Sequence, residues 1–182
     1  MKQSLLSFSK IAGLIFAACF IPSAATAQPV MAKAVLAPTS GNTAHGLITF
    51  TESNGVVKVN GQVEGLSAGG HGFHIHETGD CSAADGSSAG GHFNPTTSEH
   101  GAPGAAAHHA GDLGNLVADE AGVAKIDGDF PFLTLQGEHS IVGRGLIVHA
   151  MPDDLVTQPT GNAGARVACA VISAAEPPIA VP

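Results

Sequence analysis

Residues 71–81, HGFHIHETGDC, place three histidines within six positions of a chain that has neither Trp nor Tyr. Side chains alternate along a strand, so His74 and His76 share one face while Phe73, Ile75 and Glu77 take the other. The two imidazoles can then meet at one metal ion while Phe73 and Ile75 enter a core. A lone H-x-H pair is equally at home on an ordinary surface strand, so the reading needs further donors. Residues 79–112 contain His92, His100, His109 and Asp112, a nitrogen and oxygen set that suits tetrahedral zinc. His149 ends the apolar run SIVGRGLIVHA, where a neighbouring strand could bring it beside His74 and His76. His108 has the same chemistry as His109, and the residue types alone do not choose between them.

Strands must position these groups. From Val30 onward the chain reads VMAKAVLA, AHGLITFTE, VVKVNGQVEGL, HGFHIHE, GDLGNLVAD, GVAKIDGDF, SIVGRGLIVHA and ARVACAVIS. These eight alternating or apolar runs, broken by turn residues and with no amphipathic helix between them, predict an antiparallel sandwich or barrel. Asn54-Gly55 between two of them is a hairpin signal. Residues 79–112 and 150–165 have no apolar period. Loops of such length are usually functional, and the first, with no core of its own, is expected to be ordered by a metal.

The N-terminus joins Lys2 and Lys10 to the apolar run Ile11 to Ile21 and the small-residue site Ala25-Thr26-Ala27. That reads as a signal peptide over residues 1–27, with a run too short to span a membrane, which takes about 20 residues. Phe16-Ala17-Ala18-Cys19 resembles a lipoprotein box only weakly. The domain is expected over 28–175 and a flexible tail over 176–182. Cleavage would leave Cys81 and Cys169, expected to pair in an oxidising compartment. Removing two of the 7 basic residues against 15 acids gives a formal charge of 5 − 15 = −10, which argues against nucleic acid as a partner.

Taken together, the motifs GFHIHE, GHFNP, HHAGDLGN, SIVGRGLIVHA and TGNAGARVACAVI resemble the copper/zinc superoxide dismutases over nearly the whole mature chain. The resemblance implies an all-β fold: an eight-stranded antiparallel Greek-key β-barrel whose two long loops build one bimetallic site. It implies one copper and one zinc ion per subunit. His74, His76, His92 and His149 would hold copper; His92, His100, His109 and Asp112 would hold zinc, His92 being shared. Asp153 of MPDD would bond one histidine from each side, and His71 and His139 would lie outside the ligand shells. His45 reads as a surface residue and Arg144 as structural or interfacial.

The implied reaction converts two superoxide anions and two protons to O2 and H2O2, with copper alternately reduced and oxidised. Zinc cannot change oxidation state and would be structural. Arg166 would guide superoxide, anchored by the disulfide loop, with Thr160 narrowing the channel. Cys81 follows His76 by five residues, closer than in animal members and more like bacterial exported ones, so the location implied is the bacterial periplasm. The subloop should then take its own path, which bears on the homodimer common in the family. Pro159 stands where animal members carry a steering lysine. Two other readings of the residues remain, an exported copper or zinc store without turnover and a zinc hydrolase with an open ligand position.

Overall fold

Alternation along each strand decides which side chains enter the core. In β1 (Val30–Pro38), Ala32, Ala34 and Leu36 are buried while Lys33 and Val35 face solvent. β2 (His45–Ser53) buries Ile48 and Phe50, and β3 (Val56–Glu64) buries Val57, Val59 and Val63. Asn54 and Gly55 join these two with φ of 52° and 75°, the paired positive values that a tight hairpin turn requires. Five more strands follow: β4 (Gly69–His76), β5 (Asp112–Ala118), β6 (Ala124–Phe130), β7 (Gly145–His149) and β8 (Arg166–Val171). A short β9 (Ser173–Ala175) adds to β1. This computed structural model describes residues 30–176, and the expected signal peptide over 1–27 lies outside them, as does the tail from 177.

Every pairing is antiparallel, in the order β2-β3-β6-β5-β4-β7-β8-β1-β9, and the β1–β2 ladder from Val30↔Glu52 to Leu36↔Gly46 closes the sheet into an eight-stranded barrel. The order is a Greek key, because β3 pairs with β6 rather than β4, and β4 sits between β5 and β7. An eight-stranded barrel is just wide enough to be filled by side chains. Phe50, Phe73, Ile48, Ile75, Ile141 and Leu146 fill this one. Each such side chain stabilises the fold by roughly 1.5–3 kcal/mol relative to exposure.

β4 is buried on both faces. Phe73 and Ile75 point into the barrel, and His74 and His76 lie on the opposite side, covered by the long loops. Glu77 departs from the expected face: the strand ends at His76, and Glu77 is exposed and accepts from the Gly91 N–H (3.0 Å). Protein contacts also hold the loop from 77 to 111. Phe93 inserts into the barrel core, Arg144 lies over its ring at 4.2 Å, and His76 and His92 form an isolated β-bridge. Arg144 also donates to the Glu77 carbonyl (2.7 Å), a structural role.

Candidate metal centre

Three strands and one loop bring the ligand-type side chains together. β4 contributes His74 and His76, β7 ends at His149, and β5 begins at Asp112. Pairing of Phe73 with Val148 sets the end of β7 against β4, which is why a histidine 73 residues after His76 lies beside it. The loop before β5 adds His92, His100 and His109. Two groups result: His74, His76, His92 and His149, then His92, His100, His109 and Asp112, with the donor atoms of each group all within 4.8 Å of one another. His92 belongs to both, and all seven residues are buried.

The hydrogen bonds decide which ring nitrogen faces inward. His74 Nε2 donates to Asp153 Oδ2 (2.7 Å), His76 Nδ1 to the Gly90 carbonyl (2.9 Å), and His149 Nδ1 to the Gly164 carbonyl (3.1 Å). His100 Nε2 donates to Asp153 Oδ1 (3.0 Å). The opposite nitrogens, His74 Nδ1, His76 Nε2, His149 Nε2 and His100 Nδ1, are buried and have no hydrogen-bond partner among the described residues, and neither does His92 Nε2. A buried polar nitrogen without a partner is costly. Here four aim their lone pairs at one point and the fifth at a second, the arrangement that outer partners impose on metal-ligating histidines.

The second point is framed by short separations. Asp112 lies 2.8 Å from His92 Nδ1, 3.0 Å from His100 Nδ1 and 3.3 Å from His109 Nδ1, and the His92 and His109 Nδ1 atoms are 3.4 Å apart. Tetrahedral bonds of about 2.0–2.1 Å imply ligand separations of roughly 3.3 Å. The donor set therefore fits zinc on one side of His92 and an imidazole-preferring metal such as copper on the other.

Burial controls protonation here. Removal from water lowers His74 to about 4, His76 to about 2 and His149 to about 3, outweighing the bonds to Asp153, Gly90 and Gly164 that favour the charged forms. All three are neutral at pH 7, as ligands must be. Burial opposes ionisation of Asp112, but bonds from His92 and from the His109 and Gly101 N–H groups override it and hold its pKa below the usual carboxylate range. Asp153 is held at about 2 against burial by His74, the Leu155 N–H and His100.

His109, rather than His108, converges on the site; His108 turns its ring against Phe132 (centroids 4.4 Å apart). His71 is buried beneath, its Nδ1 donating to the His149 carbonyl (2.7 Å). His139 and His45 are exposed and away from both clusters. Thr160 is half-buried on the 150–165 loop. Arg166 donates through both terminal nitrogens, to the Gly86 and Gly90 carbonyls (2.6 Å each). Cys81 and Cys169 are bonded, with Cα atoms 5.9 Å apart, and close the subloop that carries those carbonyls.

Sequence reasoning missed the clamps on the loops. Asn115 donates to the Asp153 carbonyl (2.9 Å) and accepts from its N–H (2.7 Å). Gln158 makes the same pair with His100, at 2.9 and 2.8 Å. Gly161, with φ of 67°, leaves room for Asp153: an added Cβ would run into its carboxylate and the His100 ring. Asn115 stands in the HHAGDLGN motif, a signal that could have been followed; Gln158 has none.

A family model described as copper/zinc superoxide dismutase matches residues 44–172. The chain is also 46% identical over 147 residues to superoxide dismutase (Cu-Zn) 2 of Mesembryanthemum crystallinum, covering 77% of this chain and 94% of that relative.

Proposed function

Because the chain belongs to the copper/zinc superoxide dismutase family, we propose that it converts two superoxide anions and two protons to O2 and H2O2 at the paired clusters around His92. The observation that carries this reading is the set of five buried imidazole nitrogens with no hydrogen-bond partner among the described residues, split between the two sides of one shared ring. His74, His76, His92 and His149 would hold copper, and His92, His100, His109 and Asp112 would hold zinc. Copper supplies the one-electron redox change, and zinc, which has no accessible second oxidation state, holds the shared ring in place.

The chain's own groups do the rest. Asp153 bonds His74 and His100 at once, so it orients one ligand of each ion and couples the two clusters. His92 Nε2 is the atom that carries a proton to the reduced product, being buried and without a hydrogen-bond partner among the described residues. Its Nδ1 lies 2.8 Å from Asp112, on the side where zinc would be held. Arg166, fixed by the Gly86 and Gly90 carbonyls, draws the anion and orients it. Four protein ligands for zinc leave no open position for an activated water, which disfavours hydrolysis.

Export to an oxidising compartment, the bacterial periplasm, belongs to the same proposal. The Cys81–Cys169 disulfide supports it, since such bonds persist where thiols are not kept reduced. So does the apolar N-terminal run ending at the small-residue site. A homodimer also belongs to it. Leu47 is paired with Val35, and the β1–β8 register continued from Ala37↔Cys169 sets Val171 next in the row. All three are exposed (47%, 65% and 38%), an apolar row across three strands that a second copy would cover.

The test is metal analysis of the purified protein together with superoxide consumption. One copper and one zinc per chain, activity with both, and loss of both metals' coupling in His92→Ala are expected. Full metal content without superoxide consumption would leave a storage protein instead.

A further inference from the structure

Arg166 and Asp85 share one hollow of about 330 Å3, lined also by Thr39, Asn42, Ser87 and Gly164. Arg166 makes no direct ion pair among the described residues, so its charge is left available to an incoming anion. Asp85 is exposed, and its position is fixed: Oδ1 accepts from the Ser87 N–H (2.9 Å). The next residue, Gly86, offers the carbonyl that holds the guanidinium at 2.6 Å. One turn of the disulfide subloop therefore sets an acid and the anion-guiding arginine in register. The direction of the mutual influence agrees, since Arg166 is lowered by burial and raised by Asp85.

We propose that Asp85 restrains anion capture: its carboxylate, in the hollow it shares with Arg166, subtracts from the attraction that Arg166 exerts on superoxide and other small monovalent anions. The inference rests on the dismutase reading for its natural substrate. The underlying effect is Coulombic and reaches any anion that approaches the guanidinium. Between charges about 8–10 Å apart in a water-like dielectric it changes capture by roughly twofold. It fades as ionic strength rises, because the screening length falls from about 30 Å at 0.01 M to about 8 Å at 0.15 M. A carboxylate beside the guiding arginine makes the field at the mouth of the site weaker than Arg166 alone would produce.

The experiment compares wild type, Asp85→Asn and Glu120→Gln as metal-loaded full-length proteins. Asn keeps an oxygen to accept from the Ser87 N–H, so the turn is retained while the charge is lost. Glu120 is exposed on the β5–β6 turn, and its replacement changes net charge by the same amount away from the hollow. Azide affinity, read from the Cu(II) absorption spectrum, and kcat/KM for superoxide are each measured at 0.01 and 0.15 M ionic strength. Asp85→Asn is expected to bind azide about two- to threefold more tightly and to raise kcat/KM by a similar factor at the lower salt. The gap should shrink at the higher salt, and Glu120→Gln should match wild type throughout. Equal azide affinity in Asp85→Asn and wild type, or an equal gain in Glu120→Gln, would overturn the proposal. Azide measures capture without turnover: a protein that binds azide as expected yet consumes no superoxide would refute the dismutase reading while leaving the role of Asp85 intact.

Discussion

At the scale of single residues, the site is a matter of where each imidazole keeps its proton. Asp153 and the carbonyls of Gly90 and Gly164 take the N–H of His74, His100, His76 and His149, so the bare nitrogens converge without a metal having to recruit them. Such preorganisation is unfavourable for the metal-free protein. His74, His76 and His149 are lowered by burial from 6.5 to about 4, 2 and 3. An unfolded chain takes up these protons as pH falls through about 6.5, and the folded chain does not until the lower values are reached. The stability these groups contribute is therefore intact above about 6.5 and lost on acidification toward pH 4 and below. Each histidine accounts for on the order of a kcal/mol per pH unit. Asp153, held at about 2, adds to the loss only below the ordinary carboxylate range. Thermal unfolding of metal-free protein between pH 7.5 and 4.5 should show a falling midpoint, with metal-loaded protein holding to lower pH. A flat metal-free curve would mean that the imidazoles are hydrated rather than buried.

At the scale of elements, the disulfide subloop joins stability to function. Cys81 is tied to Cys169 on β8, and between His76 and His92 the same subloop supplies the Gly86 and Gly90 carbonyls that hold Arg166 and His76. Cys81→Ser opens a loop with a sequence separation of 88, and the chain-entropy estimate for that closure is about 4–5 kcal/mol. The variant is expected to melt well below wild type. At temperatures where it remains folded it should lose turnover more than copper, because Arg166 loses two carbonyl partners while His74, His92 and His149 keep their geometry. Calorimetry with metal analysis and superoxide assays checks this; unchanged activity in the folded variant would separate the arginine from its anchor. The disulfide was anticipated from the chain, and a guiding role for Arg166 is what the family resemblance implies. The carbonyls joining them were not, since any residue carries one and no side-chain pattern marks it.

At the scale of the whole molecule, the barrel exposes the row Leu47, Val35 and Val171 across β2, β1 and β8. For the proposed homodimer, Val35→Glu should give monomer in light scattering without changing metal content, whereas a wild type already monomeric at micromolar concentration would remove this face as the interface. How much of this was legible beforehand follows from the range of the forces involved. Strand identities, the hairpin at Asn54-Gly55 and the shared face of His74 and His76 are local: period-two alternation and turn chemistry reside in neighbouring residues, and the chain alone determined them. The donor inventory, from His74 to Asp112 and on to His149, was legible for the same reason, since ligand chemistry belongs to residue types. What holds the first loop was not, because Phe93 reads as one apolar residue in a polar stretch until the barrel offers it a place in the core. The inward nitrogen of each ring, the Asn115 and Gln158 clamps and the pairing of Asp85 with Arg166 depend on which distant segments come within hydrogen-bonding or Coulombic reach. Those distances exist only once eight strands have closed on themselves, and so the tertiary structure alone decided them.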